Sequence, residues 1–303
     1  MTPLHPLSTA ATARVTEAGL DPAMIERLIR VALDEDLADG VDVTSTATIP
    51  ASQRCTVSFV TRVPGVVAGL PVVAAVIEMV CGAEDAEIDL LHSDGDRAEV
   101  GAQLVRVSAS TREMLTAERT ALNLLCHLSG VATATAAWVD ALTGTGATVR
   151  DTRKTLPGLR ALQKYAVRCG GGANHRMGLH DAALVKDNHV AATGGIAAAF
   201  AAVRTLSASI PVEIEVDDLD GLRIALEVGA EEVLIDNFTT EEMKVAVALR
   251  DEIAPAARLE ASGGLTLEAA SEVARTGVDY IAVGALTHST LALDIGLDWE
   301  AIV

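Results

Sequence analysis

The chain has 303 residues, half of them hydrophobic, and sets 42 Asp and Glu against 23 Lys and Arg for a formal net charge of −19. An apolar share of that size excludes an intrinsically disordered chain, and the length allows one large domain or two smaller ones. The acidic balance, with only two Trp, two Tyr and three Phe, opposes nucleic-acid binding, which draws on cations for phosphates and rings for bases.

No apolar run is expected to reach the length of a membrane span, and Met1 to Leu20 lacks the basic start and apolar core of a secretory signal. A cytoplasmic protein is the expectation. Cys55, Cys81, Cys126 and Cys169 are widely spaced, show no zinc-site pattern and are expected to be buried free thiols. Residues 1–20 are small and polar and are read as a disordered or loosely attached extension. From Asp21 to Leu37 the apolar positions Met24, Ile25, Leu28, Ile29, Ala32 and Leu33 keep helical spacing, with Asp21-Pro22 as N-cap and first turn. Between Gly40 and Ser110 short Val- and Thr-rich runs, such as 56–61 and 103–107, are punctuated by Pro64-Gly65, Gly69, Asp94-Gly95-Asp96 and Gly101. These predict a small sheet, carrying one helix over Pro71 to Val80. Helical pattern then runs from Thr111 to about Leu142, with a break predicted at Ser129-Gly130. Arg119 lies in this largely apolar run, and a pairing with Glu118 or another acid is as compatible with it as a functional role.

After Gly146 short apolar strands alternate with helices. Strands are predicted at Thr148 to Arg150, Ala182 to Val185, Val212 to Val216, Val233 to Ile235, Arg258 to Ala261 and Tyr280 to Val283. Helices are predicted at Gly195 to Leu206, Asp218 to Val228, Thr240 to Arg250 and Thr266 to Thr276. Repeated βα units give a parallel sheet, open or closed into a barrel. No Gly-rich dinucleotide fingerprint follows the first strand, which disfavours the open nucleotide-binding form. The polar residues favour the barrel, because strand after strand ends in them: Asp151-Thr152-Arg153-Lys154, Lys186-Asp187-Asn188-His189, Glu213 and Glu215, Asp236-Asn237, Ser262-Gly263-Gly264, then Gly284-Ala285 and His288. A barrel gathers such ends at one mouth, where its active sites are built. The last two loops lie where barrels bind phosphate through backbone N–H groups.

Residues 150–189 reverse the charge of the chain, with eight Lys and Arg and three acids. Clusters at Arg153-Lys154, His175-Arg176 and Lys186 predict a pocket for a small, multiply charged anion. Glu215 and Asp236 suit a magnesium ion held largely through substrate oxygens and water, or the hydroxyls of a sugar; ion pairing with Lys154 or Lys186 is the structural reading of the same acids. His175, His189 and His288 suit proton donation, anion contact or core packing. Three other readings stay open at this point: a related transferase acting on another acceptor, an aldolase-like barrel in which Lys154 or Lys186 forms a Schiff base, and a non-catalytic anion binder.

The motifs taken together are more specific than any one of them. DTRKT at 151–155, GGGANHR at 170–176, KDNH at 186–189, EVD at 215–217, LIDN at 234–237, SGG at 262–264 and VGALTHS at 283–289 closely resemble the quinolinate phosphoribosyltransferase family, a resemblance that covers the chain from about Asp21 onward. It implies that quinolinate and phosphoribosyl pyrophosphate give nicotinate mononucleotide, carbon dioxide and pyrophosphate, a step in making NAD. It implies an extension over 1–20, an N-terminal helix and open-faced α/β sandwich with connecting helix over 21–128, and an incomplete parallel α/β barrel of fewer than eight strands over 129–303. It also implies a homodimer in which Arg119 crosses to the neighbouring site. There Arg153, His175, Arg176 and Lys186 would surround the quinolinate carboxylates, and Lys154 and Lys186 would face pyrophosphate. Glu215 and Asp236 would hold ribose hydroxyls and Mg2+, and Ser262, Gly263, Gly264, Gly284 and His288 would line the sugar-phosphate site. Thr152, His189 and Ala285 belong to the same motifs and count among the binding residues, while Lys154, Lys186, Glu215 and Asp236 are the expected catalytic set.

Overall fold

The computed structural model describes residues 4–38 and 40–302, which form two compact units. A single cut at 128/129 is predicted, but the units interleave: the first comprises the chain up to Ala134 together with Leu156–Gly171 and the segment from Ser289 on, the second Thr135–Thr155 and Gly172–His288.

The first unit is built on strands β1 (Arg54–Thr61), β2 (Gly65–Val66), β3 (Glu87–Leu90), β4 (Arg97–Ala98) and β5 (Gln103–Ser110). The period-two pattern of β1 buries Cys55, Val57 and Phe59 on one face. The helix Leu70–Cys81 is apolar all round and buried from Leu70 to Cys81 apart from Pro71, as befits a helix enclosed by the core. Its one charge, Glu78, is 7% exposed and pairs with Arg14, while Ser8 Oγ donates to it at 2.6 Å. Residues 4–20 are thus not the loose extension predicted: Thr9–Glu17 is a helix that buries Ala11 and Val15, and His5 N donates to Met79 O at 2.8 Å. Replacing Arg14 by Met leaves a nearly buried carboxylate short of its counter-ion, and urea unfolding is expected to show a loss of about 1–3 kcal/mol.

The helix Thr111–Ala141 is continuous through Gly130. A Cβ at Gly130 would lie 2.2 Å from Leu291 O, so the glycine admits the returning chain and does not break the helix. Contrary to the expectation of no span-length run, this helix is long and apolar enough to cross a membrane. Its Ala121, Leu125, Leu128, Val131 and Ala132 are fully buried within the protein, the mark of a core helix.

In the second unit strands β6 (Thr148–Arg150), β7 (Ala183–Val185), β8 (Val212–Val216), β9 (Glu232–Asp236), β10 (Arg258–Ser262) and β11 (Tyr280–Ala282) form one parallel sheet in the order β6-β11-β10-β9-β8-β7. The outermost strands, β6 and β7, share no ladder, so the barrel stays open, with fewer than eight strands. Ile214, Val233, Ile235, Leu259, Ala261 and Ile281 are fully buried, as parallel strands covered on both faces require. Helices Ile196–Leu206, Leu219–Glu227 and Thr240–Ile253 follow β7, β8 and β9. Asp218 caps the second by accepting from Gly221 N, and Thr239 with Glu242 forms a capping box on the third. The helix predicted over 266–276 is regular only at Ala270–Ala274.

The last strand, β12 (Ile295–Ile302), returns to the first unit and extends its sheet to β12-β1-β5-β3, with Phe59 opposite Leu297 and Val57 opposite Trp299. The open edge of β1 explains why the chain's end leaves the barrel.

Candidate active site

The carboxyl end of β6 is tied to the glycine-rich loop that follows it. Asp151 is completely buried and accepts from His175 N at 2.8 Å and Asn174 Nδ2 at 2.6 Å. Ala173 N donates to Val149 O at 2.9 Å, completing a short bridge beside β6. Lys154 is held through its backbone: its N–H donates to Thr152 Oγ1 at 3.0 Å and its carbonyl accepts from Thr287 Oγ1 at 2.9 Å. Its stem lies over Gly284, where a Cβ would come within 2.8 Å of Lys154 Cδ. These ties place the first two cationic clusters on one wall.

The strand ends enclose a cleft of about 370 Å³. Thr152, Arg153, Lys154, His175, Arg176 and Lys186 line it on the cationic side, Glu215, Asp236 and Ser262 contribute from β8, β9 and β10, and Leu184, Leu234, Ala282 and Glu260 complete the wall. A second cleft of about 420 Å³ shares Thr152, Lys154, Asp236 and Ser262 and continues over Gly263, Gly264, Gly284, Ala285 and His288. Gly263 has φ +96°, and a Cβ there would lie 2.2 Å from Asn237 Oδ1. Gly263→Ala is therefore expected to displace this loop, raising the KM for a phosphorylated substrate at least ~10-fold, as steady-state kinetics would show.

The charges on the two walls are not symmetrically paired. Lys186 forms an ion pair with Glu215, realising one half of the structural reading of the acids, and Asp236 accepts from Asn237 Nδ2 at 2.7 Å. Among the described residues Arg153 and Lys154 have no ion pair with an acid. Arg176 Nη1 donates to Ala182 O at 3.0 Å, and the Nε atoms of both Arg153 and Arg176 are buried without a partner. Burial, and then the nearby Arg153 guanidinium, hold Arg176 below its ordinary pKa. Two half-buried guanidiniums that oppose each other in this way have the chemistry of a site for an anion.

Beneath the cleft lies a network that sequence reasoning missed. His175 Nε2 is 2.6 Å from Glu213 Oε2 and 3.7 Å from Glu260 Oε1, and Arg176 N donates to Nδ1 at 2.7 Å. The neutral ring accordingly carries its proton on Nε2. Burial opposes the charged ring, but Glu213 and then Glu260 outweigh it and raise the His175 pKa. Arg150 Nη1 donates to Glu232 and Glu260, each at 2.8 Å, and its guanidinium stacks 3.9 Å from the Tyr280 ring centre. Glu213, expected at a strand's carboxyl end, is instead the second residue of β8 and lines neither cleft. Glu260 is the middle residue of β10, where the sequence offered no cue beyond an acid in an apolar run.

Two predicted site residues are not brought to either cleft. His189 is exposed, and its Nδ1 accepts from Lys186 N at 2.9 Å as part of the cap of helix Asp187–Thr193. Arg119 is exposed on Thr111–Ala141 in the first unit and has no ion pair among the described residues, so the suggested pairing with Glu118 does not form. Arg160, Lys164 and Arg168, part of the charge reversal that pointed to the pocket, belong to the first unit's helix Arg160–Cys169 and line neither cleft.

The oxygen donors of Glu215 and Asp236, on neighbouring parallel strands in the cleft wall, have the hard-ligand chemistry that magnesium takes. An open parallel barrel whose strand ends join guanidiniums without acid partners among the described residues to two carboxylates and a glycine-lined loop has the make-up of an enzyme acting on small polyanions. The chain belongs to the quinolinate phosphoribosyltransferase family: the family's N-terminal domain matches residues 42–129 and its C-terminal domain residues 131–298. It is 56% identical over 270 residues to the carboxylating nicotinate-nucleotide pyrophosphorylase of Mycobacterium leprae, covering 89% of this chain and 95% of the relative. It is 38% identical over 278 residues to the probable carboxylating enzyme of Bacillus subtilis, covering 90% and 93%. The solved nicotinate-nucleotide pyrophosphorylase of Francisella tularensis superposes with a TM-score of 0.85 at 37% identity, covering 92% of this chain and 96% of that one.

Proposed function

We propose that the protein transfers phosphoribose from phosphoribosyl pyrophosphate to quinolinate with loss of carbon dioxide, giving nicotinate mononucleotide and pyrophosphate for NAD biosynthesis. The observation that carries this reading is the cleft itself, where Arg153, Lys154 and Arg176 lack acid partners among the described residues and face a wall bearing Glu215 and Asp236. Guanidiniums hold planar carboxylates through paired donors, so Arg153 and Arg176 bind the dicarboxylate. Lys154 and Lys186 face the pyrophosphate, where negative charge grows as the bond to the ribose loosens. Glu215 and Asp236 stand toward the ribose, where positive charge grows. The glycine-lined cleft from Ser262 to Gly264 and from Gly284 to His288 receives the 5′-phosphate through backbone N–H groups and His288.

Magnesium, held by Glu215 and Asp236 directly or through water, would neutralise charge on the departing pyrophosphate. The pyridine nitrogen supplies the nucleophile, so no side chain need form a covalent bond. Lys186 exchanges its contact with Glu215 for substrate oxygens, which frees the carboxylate for the ribose. His175 braces the cleft through its bonds to Glu213 and the Arg176 backbone. The working unit in this reading is a homodimer in which Arg119 of the partner subunit completes the carboxylate site; the exposure of Arg119 and its lack of an ion pair among the described residues support that role. All four cysteines are free thiols, in accord with a reducing cytoplasm, but only Cys55 and Cys81 are buried as expected, Cys126 and Cys169 being half-buried.

The test is product analysis with purified protein, magnesium and phosphoribosyl pyrophosphate, offering quinolinate or nicotinate in parallel. Nicotinate mononucleotide formed from quinolinate alone is the expected result. No product from quinolinate with folded protein would overturn the assignment of the acceptor.

A further inference from the structure

The proposed reaction leaves one step without an agent, and any agent assigned to that step rests on the reaction being the one proposed. When the C2–carboxylate bond of the quinolinate ring breaks, its electron pair remains on the ring carbon beside the positively charged nitrogen and carbon dioxide departs neutral. That carbon must then gain a proton. With Glu215 and Asp236 given to the ribose and magnesium in the proposed reaction, the groups left on the cleft wall that can carry one are Lys154, Lys186, His175 and Glu260. Lys186 passes from Glu215 to the anionic oxygens of the substrate in the proposed reaction, and the His175 Nε2 proton points to Glu213. Lys154 is exposed to solvent.

Glu260 is placed differently. It is 1% exposed, on the cleft wall with Leu184, Leu234 and Ala282, so bulk water does not solvate its carboxyl. Its Oε2 accepts from Arg150 at 2.8 Å, while its Oε1 has no hydrogen-bond partner. Glu213 Oε1 is also buried and without a partner, and ligand atoms of His175, Glu213 and Glu260 lie within 4.8 Å of one another. Two buried carboxylates so close are stabilised when one of them is protonated. A bound cation is the other way to relieve them, but Arg150 already places a guanidinium on Glu260. The groups facing Glu260 are Glu213 from β8, Arg150 from β6 and His175 from the loop after β6, with Glu232 and the Tyr280 ring on the far side of Arg150. Burial and then Glu213 push the Glu260 carboxyl up to about 7, against the pull of His175 and Arg150.

We propose that the protonated Glu260 carboxyl gives its proton to the ring carbon that loses carbon dioxide. The Glu260 O–H bond breaks as the C–H bond forms, and the resulting carboxylate rests against Arg150 and His175 until a solvent proton restores it. A second opening reaches the neighbours of Glu260, from which the proton is passed on. A cavity of about 230 Å³ lies at the amino ends of β8 and β9, bordered by Pro211 and Glu231, and it reaches Arg150, His175, Glu213 and Glu232. Arg150 of β6 and Ala183 of β7 both border it, so it follows the seam where these two strands share no ladder. The open barrel thus gives the buried network a face away from the substrate.

The test uses the full-length wild type, Glu260→Gln and Glu260→Asp with magnesium, quinolinate and phosphoribosyl pyrophosphate, following nicotinate mononucleotide across pH in H2O and D2O. A donor must be protonated to act, so wild-type kcat is expected to fall as pH rises past about 7 and to be lower in D2O. Glu260→Gln keeps an acceptor for Arg150 but has no acidic proton; its kcat is expected to drop ~10²–10³-fold and to lose that alkaline limb, with quinolinate affinity from fluorescence titration within about threefold of wild type. Glu260→Asp is expected to keep the limb with a smaller loss. Glu260→Gln with wild-type kcat, or with the limb intact, overturns the step. Should Glu260→Gln fail to fold, a flat wild-type profile or absence of the limb in Glu260→Asp overturns it instead. No nicotinate mononucleotide from the wild type overturns the reaction itself, whereas normal wild-type turnover with an unaffected Glu260→Gln overturns this step alone.

Discussion

Mixing an inactive Arg119→Ala protein with an inactive Glu215→Ala protein is expected to restore activity once their subunits exchange. In the mixed dimer one site combines an intact Glu215 with Arg119 of the partner subunit, and the other site lacks both. Random reassortment makes half the dimers mixed, so recovery reaches about a quarter of the wild-type activity. Either variant alone loses ~10²–10³-fold, Arg119→Ala by removing a charge-assisted contact to a carboxylate and Glu215→Ala by removing charge beside the ribose. In the proposed shared site, the exposure of Arg119, with no acid paired to it among the described residues, would leave it available to a neighbour. Recovery is read from initial rates after mixing, with size-exclusion chromatography to verify the dimer. Failure to recover, with mixed dimers demonstrated, would place the arginine's action within its own chain or nowhere in the site.

Replacing Lys186 by Ala is expected to lower kcat/KM by ~10³-fold, the largest effect of any single change at the mouth. Two losses combine. The cation that faces the substrate's anionic groups is gone, and Glu215, whose side chain is 16% exposed, loses its ion-pair partner. An unpaired carboxylate on that wall repels both anionic substrates. Lys186→Arg restores charge but not the compact ammonium geometry, so it should recover only part of the loss. Steady-state kinetics in each substrate separate the effects: a rise in both KM values reports the repulsion, and a fall in kcat reports lost stabilisation of the departing pyrophosphate. A kcat/KM within tenfold of wild type in Lys186→Ala would remove the residue from the catalytic set.

Much of the barrel was legible because its signals are local. A strand such as Val212–Val216 is a short apolar run, its helix follows with a capping acid at Asp218, and the polar residues at the run's end fall at the mouth. The cationic wall followed from clusters a few residues long, which the bonds from Asp151 to Asn174 and His175 draw together. Legibility failed where a residue's role depends on a distant neighbour. Ile295–Ile302 is exposed from Asp298 onward and shows little alternation, so its pairing with the edge of β1 makes it a strand. Gly130 has the sequence look of a helix break and is instead the contact point for Leu291. His189 sits within a motif that points to substrate, yet it satisfies the backbone of its own helix start.

By itself the sequence determined the parallel βα repeat, the order of the motifs, the family and most of the residues on the cleft wall. Periodicity and turn chemistry act over a few residues, and a strand's end necessarily leads into the mouth loop. Only the tertiary structure decided that Arg160, Lys164 and Arg168 serve the first unit, that Lys186 and not Lys154 holds Glu215, and that Glu260 meets Glu213 under His175. Those outcomes depend on the lateral register of strands β6 to β11 and on what is sealed from water. An acid at the middle of a strand becomes a buried proton carrier only when two other strands bring a second carboxylate and a guanidinium to its side.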